Sequence, residues 1–300
     1  MTFETDRTSG SSGVALGFLD ALERWVETDT SPSSPALRGT LLPWLRAAQA
    51  AQPSMALVHQ FAARALEVVG SAASREDSAT EARKSILLSI ASERADLAAQ
   101  QNGVARTAAG LITERESWIA TLSASAAVRE AFEIAHQAGR APRGLIAESR
   151  PGFEGREFAA TLAAAGIPSW LVVDAALPML LTGASIALIG ADAVTDRGVI
   201  NKVGSFALVL AAREHSVPVY ALAMRRKFLP ASTAALKIVE MSPDEVWRDA
   251  PPGVRPRNVC FEQVPLELFR GIVVEDSVLG ATEARVVALD RPLPEELVGG

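Results

Sequence analysis

The sequence predicts an α/β protein in which an all-α N-terminal domain, residues 1–116, precedes a Rossmann-like domain with a parallel sheet, residues 117–300. Two patterns support this prediction. In the first part, apolar residues recur at helical spacing and no strand-like alternation is present. In the second part, short apolar runs alternate with helical segments, which is typical of a parallel sheet covered by helices on both faces.

The N-terminal part is predicted to be a set of helices separated by polar or proline-containing breaks. Ser78 is placed to cap the longest of them, and Gly103 is expected to interrupt it before a short helix resumes. The predicted helices cover residues 13–28, 41–51, 55–69, 79–101 and a final segment that ends at residue 115.

The C-terminal part is predicted to alternate strands and helices, with a proline-rich loop over residues 251–256. The predicted strands cover residues 118–122, 144–147, 169–173, 185–189, 217–223, 271–274 and 285–288. The predicted helices between them cover residues 126–137, 155–165, 175–181 and 203–215.

Composition excludes several classes of protein. The formal net charge of −6 argues against a nucleic-acid-binding surface, which needs a basic face. The single cysteine, Cys260, excludes a disulfide framework within the chain and a cysteine-rich metal site. The three histidines lie far apart in sequence, so we expect no metal site.

The sequence predicts a soluble, cytoplasmic protein. Residues 1–13 are polar and lack the apolar core of a secretion signal. Residues 175–191 carry no charge, but Pro178 and Gly183 interrupt them, and a membrane span needs roughly 20 apolar residues. We therefore expect a helix followed by a buried strand there, and no membrane partner.

The stretch from Ile189 to Ser205 has the order of features expected of a ligand site. An apolar run leads to Asp192, a glycine-containing loop follows, and the pair Asn201-Lys202 precedes an alanine-rich segment. This order predicts a strand, a ligand loop and the start of a helix, which is where open α/β sheets bind ligands. Backbone N–H groups and a lysine favour a small anion there, and Asp192 is the candidate acid or base.

Four segments of the chain resemble the motifs of one family. They are ESRPGFEGR over residues 148–156, AGIPSWLVVD over 165–174, the loop over 189–205, and EHSVPVY over 214–220. The resemblance covers most of residues 118–276. The family joins the α, β and δ subunits of eukaryotic initiation factor 2B with ribose-1,5-bisphosphate isomerase and methylthioribose-1-phosphate isomerase.

The resemblance implies a pair of groups that transfer protons in the isomerases, namely an aspartate and a cysteine. Asp192 stands at the aspartate position, and Ser123 stands at the cysteine position. Because a thiol ionises at about pH 8.5 and an alcohol is a far weaker acid, Ser123 cannot simply take over the role of the thiol. Cys260 lies in a distant segment and is expected to be a buried small residue rather than a displaced catalyst. The factor 2B subunits also lack the catalytic cysteine.

The resemblance also implies residues that hold the ligand. Arg150 would clamp a phosphate, although it could equally bond loop carbonyl groups. Asn201 and Lys202 would contact sugar or phosphate, although the alternatives are a helix cap and a solvated lysine. Gly10 and Ser11 resemble a phosphate-binding turn, but Ser/Gly runs are also typical of flexible tails.

Three further positions complete the interpretation. Gln52 stands where relatives have an arginine, so a charge that would meet an anion is absent. His59 and His215 are expected to be surface or packing residues. Besides an altered reaction in a specialised pathway, the sequence leaves two hypotheses open: an aldose–ketose isomerase of a ribose phosphate, or a non-catalytic protein that senses a sugar phosphate or nucleotide in the same pocket or assembles like factor 2B subunits. Neither hypothesis requires a cofactor, and the resemblance implies a homodimer or higher homo-oligomer.

Overall fold

The computed structural model describes residues 2–6, 9–113, 117–233 and 235–298. The N-terminal part consists of four helices, as predicted. They are α1 (Ser11–Thr28), α2 (Ser34–Ala51), α3 (Ala56–Ser74) and α4 (Ala79–Leu111). Helix α2 begins before the predicted residue 41 because Ser33 accepts a hydrogen bond from the Ala36 N–H and Pro35 lies in the first turn.

Helix α4 is continuous, so the predicted interruption at Gly103 is wrong. Ser78 caps this helix together with Glu81, as the sequence predicts for its start. Gly103 is buried, and a Cβ atom at this position would lie 3.2 Å from the carbonyl oxygen of Glu275. The glycine therefore serves a close approach between α4 and the C-terminal part. The predicted helix end at Arg115 lies outside the described residues.

The C-terminal part is built on a seven-stranded sheet with the strand order β12-β11-β7-β4-β1-β2-β3. All neighbouring strands in it are parallel except the pair β11 and β12. The mostly parallel sheet predicted from the sequence is therefore confirmed. Its strands are β1 (Trp118–Thr121), β2 (Arg143–Ala147), β3 (Ser169–Val172), β4 (Ala184–Gly190), β7 (Val219–Leu222), β11 (Gly271–Val273) and β12 (Val278–Leu279).

Helices follow most of these strands. The strand predicted over residues 285–288 is wrong, because this segment belongs to helix α10. Its start is capped by the Glu283 side chain, and Ala284 and Ala288 are buried at helical spacing. The helices are α5 (Ala126–Gln137), α6 (Glu154–Ala164), α7 (Leu177–Leu180), α8 (Ser205–Glu214), α9 (Asp244–Trp247), α10 (Ala281–Leu289) and α11 (Glu295–Val298).

The segment expected to be a ligand loop is a β-hairpin. Its strands are β5 (Ala193–Val194) and β6 (Val199–Lys202), and β6 also pairs with β10 (Phe261–Val264). The prediction of an open loop is therefore wrong, because the pairing partner of this segment lies some sixty residues along the chain (Lys202 pairs with Phe261). The helix start predicted after the Asn-Lys pair is confirmed, since α8 begins at Ser205. A further hairpin joins β8 (Glu240–Met241) to β9 (Asn258–Val259).

Two apolar cores cover the two faces of the sheet, as predicted. Neighbouring residues of β4 alternate between them: Leu188 packs into the core shared with α1–α5, and Ile189 packs into the core under α8. The predicted domain boundary at residue 116 lies outside the described residues, and the division into two domains stays a prediction. Within the described ranges, no helix is both long and apolar enough to cross a membrane.

Candidate functional site

Two adjoining chambers form a cleft at one end of the sheet. The larger chamber, of 360 Å³, is lined by the first residues of α1 and α5 together with Gly190, Asn201 and Lys227. The smaller chamber, of 190 Å³, is lined by residues from several elements: Asp6, Gln52, Met55, Pro151, Gly152, Glu154, Lys202, Met241, Glu245, Cys260 and Phe261. Both chambers share the walls formed by Ser9, Gly10, Ser123 and Asp192.

The position of the cleft follows from the order of the strands. The chain passes from β1 outward to β2 and β3, and then returns to place β4 on the other side of β1. The carboxyl ends of β1 and β4 therefore diverge at a topological switch point, where α/β sheets bind ligands. Ser123 follows β1 and Asp192 follows β4, so the two positions of the expected proton-transfer pair meet there.

Asp192 is nine-tenths buried between the two chambers. Its backbone is fixed on both sides: its N–H donates to the Ile200 carbonyl at 2.8 Å, and its carbonyl accepts from the Ala56 N–H at 3.1 Å. Burial raises the pKa of the carboxyl group to about 6, although the charges of Lys227 and Lys202 oppose this shift. An acid with this pKa can both give and take a proton near neutral pH.

Lys227 is a site residue that the sequence interpretation did not assign. It lies after β7, and its Nζ donates to the Ser11 hydroxyl and to the Ala191 carbonyl, both at 2.6 Å. Burial lowers the pKa of the ammonium group to about 8, and the charge of Asp192 opposes the shift. The Ser11 hydroxyl also hydrogen-bonds the Asp192 carboxylate, so Ser11 connects the two titratable groups. The sequence carries only a weak signal for it, because the pair Lys227-Phe228 resembles a short landmark of the same family.

Lys202 forms a buried ion pair rather than the solvated lysine of the alternative interpretation. Its Nζ lies 2.7 Å from Oε1 of Glu154, the first residue of α6, and both side chains are more than nine-tenths buried. The other oxygen, Oε2 of Glu154, is buried and has no hydrogen-bond partner in the part of the chain that the structure describes. The pair closes one side of the smaller chamber.

Asn201 lies on the neighbouring position of β6 and lines the larger chamber. Its Nδ2 donates to the Ser205 hydroxyl at 2.9 Å, and that hydroxyl donates to the Lys202 carbonyl at 2.6 Å. Asn201 therefore orders the start of α8 and also contributes to the chamber wall.

Ser123 is held in a strained backbone conformation, with φ of 62°. Its N–H donates to the Ser149 hydroxyl at 2.6 Å, and the Ser149 N–H donates to Oδ1 of Asp174 at 2.7 Å. This chain of hydrogen bonds joins the loops after β1, β2 and β3. It brings Ser123 to both chambers, next to Asp192 in the shared wall.

Arg150 is not brought together with the other candidate residues. Its backbone N–H donates to Oδ2 of Asp174 at 2.8 Å, while its exposed guanidinium group lies 5.0 Å from the centre of the Phe153 ring. The side chain lines neither chamber. The loop that carries the ESRP motif thus contributes Glu154, Pro151 and Gly152 to the cleft rather than its arginine.

Gly10 and Ser11 mark the N-terminus of α1, which faces the larger chamber. The N-terminus of α5, which Ser125 caps, faces the same chamber. The first N–H groups of a helix lack partners within it and carry partial positive charge. A Cβ atom at Gly10 would lie 2.8 Å from the Ala124 carbonyl oxygen, so glycine lets the two helix starts approach. The larger chamber therefore has the features of an anion site.

Four remaining residues are placed as follows. Gln52 donates to the carbonyl groups of Phe3 and Asp6 at 2.7 and 2.9 Å, so it holds the N-terminal segment against the cleft. Cys260 is buried, as expected, but it also lines the smaller chamber. His59 is a packing residue, and burial lowers the pKa of its imidazole to about 4, whereas His215 is exposed. The described ranges contain no group of three side chains suited to hold a metal ion.

The mostly parallel sheet, the preceding helices and the cleft at the switch point define a Rossmann-like α/β protein with a candidate ligand cleft. The chain belongs to the Initiation factor 2 subunit family, whose model matches residues 7–280. The family resemblance seen in the sequence is thus confirmed.

Relatives of known name include both factors and enzymes. A putative translation initiation factor eIF-2B subunit 2-like protein of Pyrococcus furiosus is 35% identical over 162 residues, which are 54% of this chain and 57% of the relative. The ribose 1,5-bisphosphate isomerase of Archaeoglobus fulgidus is 30% identical over 175 residues, which are 56% of this chain and 55% of the enzyme. The chain therefore spans about half the length of the curated relatives it matches.

Solved structures match over nearly the whole chain. The translation initiation factor eIF-2B of Pyrococcus horikoshii superposes with a TM-score of 0.78 at 25% identity, covering 92% of this chain and 94% of that one. The 5-methylthioribose 1-phosphate isomerase of the same organism gives a TM-score of 0.72 at 21% identity, covering 94% and 83%. These similarities confirm the predicted fold.

Proposed function

We propose that this chain binds a phosphorylated sugar in the cleft and interconverts its aldose and ketose forms, with Asp192 as the general acid/base. The observation that carries the proposal is the buried position of Asp192 between the two chambers, where the pKa of its carboxyl group is about 6. Proton transfer is most effective when the pKa of the catalytic group lies near the working pH.

The larger chamber supports the phosphate part of this proposal. Two helix starts converge on it, and Lys227 lies in its wall. A phosphate placed there would accept hydrogen bonds from N–H groups that lack partners within their helices. Relatives at 30% identity or above include proteins named as isomerases of ribose 1,5-bisphosphate and of methylthioribose-1-phosphate.

Lys227 supplies the second group that the isomerisation needs. In a sugar with phosphate on its first carbon, Asp192 as carboxylic acid protonates the ring oxygen, so that the ring opens, and as carboxylate it then removes the proton from the second carbon. The carboxylic acid returns this proton to the first carbon, and the carboxylate takes the proton of the hydroxyl group on the second carbon, which becomes the ketone. Two protons are given and two are taken, and the Lys227 ammonium group stabilises the negative charge that develops on that oxygen. The Ser11 hydroxyl, hydrogen-bonded to both side chains, keeps them in register.

A second candidate function is a non-catalytic protein that binds a sugar phosphate or nucleotide in the same cleft. Ser123 favours it, because an alcohol stands where the isomerases are expected to have a thiol, and its loop is tied down by Ser149. In this case the cleft would regulate or stabilise an assembly, and Asp192 would position the ligand.

The discriminating experiment offers ribose 1,5-bisphosphate and methylthioribose-1-phosphate to the full chain. Ketose formation is followed by NMR, and binding is measured by calorimetry. Turnover that disappears in Asp192→Asn supports the isomerase, whereas turnover that survives this change contradicts the role given to Asp192. Binding without turnover favours the second candidate. If no sugar phosphate or nucleotide binds or raises the melting temperature, the cleft is not a phospholigand site.

We also propose that the chain forms a homodimer or a higher homo-oligomer. Large apolar side chains are exposed on the outermost strand β3, at Trp170 and Leu171, and in the segment that follows it, at Val173 and Met179. Contiguous exposed apolar surface on a folded chain is typical of an interface. One solved structure of the same fold is a tetrameric eIF2B-beta2-delta2 complex from C. thermophilum. The cytoplasmic location expected from the sequence stays a prediction.

A further inference from the structure

The described residues that precede α1, 2–6 and 9–10, form an N-terminal strap along the wall of the cleft. Three residues of the strap line the smaller chamber: Asp6, Ser9 and Gly10. The Ser9 N–H donates to Oδ1 of Asp6 at 2.9 Å, which joins the two described parts of the strap. The strap leads directly into Ser11, the first residue of α1, whose hydroxyl hydrogen-bonds the Asp192 carboxylate. Its position therefore sets the place of Ser11 in the cleft.

Phe3 anchors the strap away from the cleft. Its side chain is only 5% exposed and lines neither chamber. The ring packs edge-on against that of Phe18, with 5.6 Å between the ring centres, and lies 6.5 Å from the ring of Trp44. Such aromatic pairs stabilise beyond the area that they bury. A Cβ atom at Gly17 would lie 3.0 Å from Cβ of Phe3, so this glycine lets the strap lie close against α1.

Gln52 provides a second anchor from the end of α2. Its buried Nε2 donates to the carbonyl groups of Phe3 and Asp6 at 2.7 and 2.9 Å. The Asp6 N–H donates to the Phe3 carbonyl at 3.4 Å, so Gln52 holds both ends of one turn of the strap. At the position where the family resemblance implies an arginine that meets an anion, this chain thus uses an amide to hold its own backbone. Gln52 also lines the smaller chamber, so Phe3 gives the cleaner test of what the anchoring does.

We propose, on the basis of the function proposed above, that docking of the strap completes the ligand cleft, and that Phe3 is a positioning residue for ligand binding. Phe3 acts through the strap, because its ring lies among the aromatic side chains of α1 and α2 while Asp6, Ser9 and Gly10 form the wall. When only a fraction of the molecules has the strap docked, the apparent affinity for the ligand falls by that fraction. By linkage, a bound ligand in turn favours the docked strap.

Two measurements on Phe3→Ala in the full chain test this proposal. Calorimetry with ribose 1,5-bisphosphate and methylthioribose-1-phosphate gives the affinity, and hydrogen exchange followed by mass spectrometry gives the protection of the strap amides. We expect the dissociation constant to rise about tenfold or more, because loss of a buried phenylalanine ring shifts a folding equilibrium by more than that factor. We also expect the strap amides to exchange faster in the free variant than in the wild type, and to regain protection when the sugar phosphate is added.

Trp25→Ala is the matched control. Trp25 belongs to the same aromatic group, with its ring 6.0 Å from that of Trp44, but it lies on α1 outside the strap and lines neither chamber. This variant should lower the melting temperature and leave both the affinity and the protection of the strap amides unchanged. Phe3→Leu keeps apolar bulk and should lose less affinity than Phe3→Ala.

Equal losses of affinity in Phe3→Ala and Trp25→Ala would overturn the positioning role of Phe3 and leave the proposed function standing. Strap amides that exchange alike in the wild type and in Phe3→Ala would do the same. If neither sugar phosphate binds to the wild type, the proposed function fails, and the role of Phe3 in ligand binding fails with it.

Discussion

As the pH rises from 4 to 6.5, the free energy of unfolding of the Asp192→Asn variant should increase relative to that of the wild type. Burial raises the pKa of the Asp192 carboxyl group from 3.8 to about 6. A raised pKa in the folded state means that folding is favoured when the group is protonated, and that this contribution is lost as the pH rises through the folded pKa. The asparagine variant has no such loss.

The size of this effect follows from the two pKa values. One unit of pKa corresponds to about 1.36 kcal/mol, so the difference between 3.8 and about 6 amounts to about 3 kcal/mol over the full titration. About 2 kcal/mol of this falls between pH 4 and pH 6.5. Lys227 stays protonated across this window, because the pKa of its ammonium group is about 8. The change with pH therefore reports Asp192.

Urea denaturation of wild type and Asp192→Asn at several pH values measures this difference. The diagnostic quantity is how the difference in free energy of unfolding between variant and wild type changes with pH. The part of this difference that does not depend on pH also contains altered packing and the lost attraction to Lys227. Asp249→Asn, which alters an exposed carboxylate, is the control, and its difference from wild type should stay constant. A constant difference for Asp192→Asn as well would refute the claim that burial perturbs this group, and with it the main support for its acid/base role.

Three further predictions concern the ion pair, the glycine approach and the apolar surface. Lys202→Met leaves Glu154 buried without its cation, so the free energy of unfolding should fall by roughly 3–5 kcal/mol in urea denaturation, and adding Glu154→Gln should recover part of it. Gly155→Ala would place a Cβ atom 1.8 Å from the carbonyl oxygen that ends β2, so we expect loss of soluble folded protein, judged by circular dichroism. Met179→Asp should shift the oligomer towards monomer in light scattering, whereas Leu88→Asp, an equally exposed apolar position on α4, should not. Unchanged mass for both variants would count against this interface.

The elements with strong local signals were predictable from the sequence. Helix α5 has the predicted bounds, because Ser125 caps it and its apolar face repeats at helical spacing. The strands β1 to β4 were predicted within a few residues, because buried parallel strands are short apolar runs between helices. The errors arose where a local pattern is ambiguous: residues 285–288 form a helix although a short apolar run is also typical of a buried strand, and Gly103 serves packing rather than a helix end.

Sequence by itself determined the fold class, the family and the position of Asp192, because motif spacing and the order of strands and helices are local properties of the chain. Tertiary structure decided which groups meet. It placed Lys227 and Ser11 beside Asp192, paired Lys202 with Glu154, brought Cys260 into the smaller chamber and left Arg150 outside the cleft. These contacts join residues from distant parts of the chain, and burial, which sets the pKa values of the site, exists only once the helices and the sheet have packed.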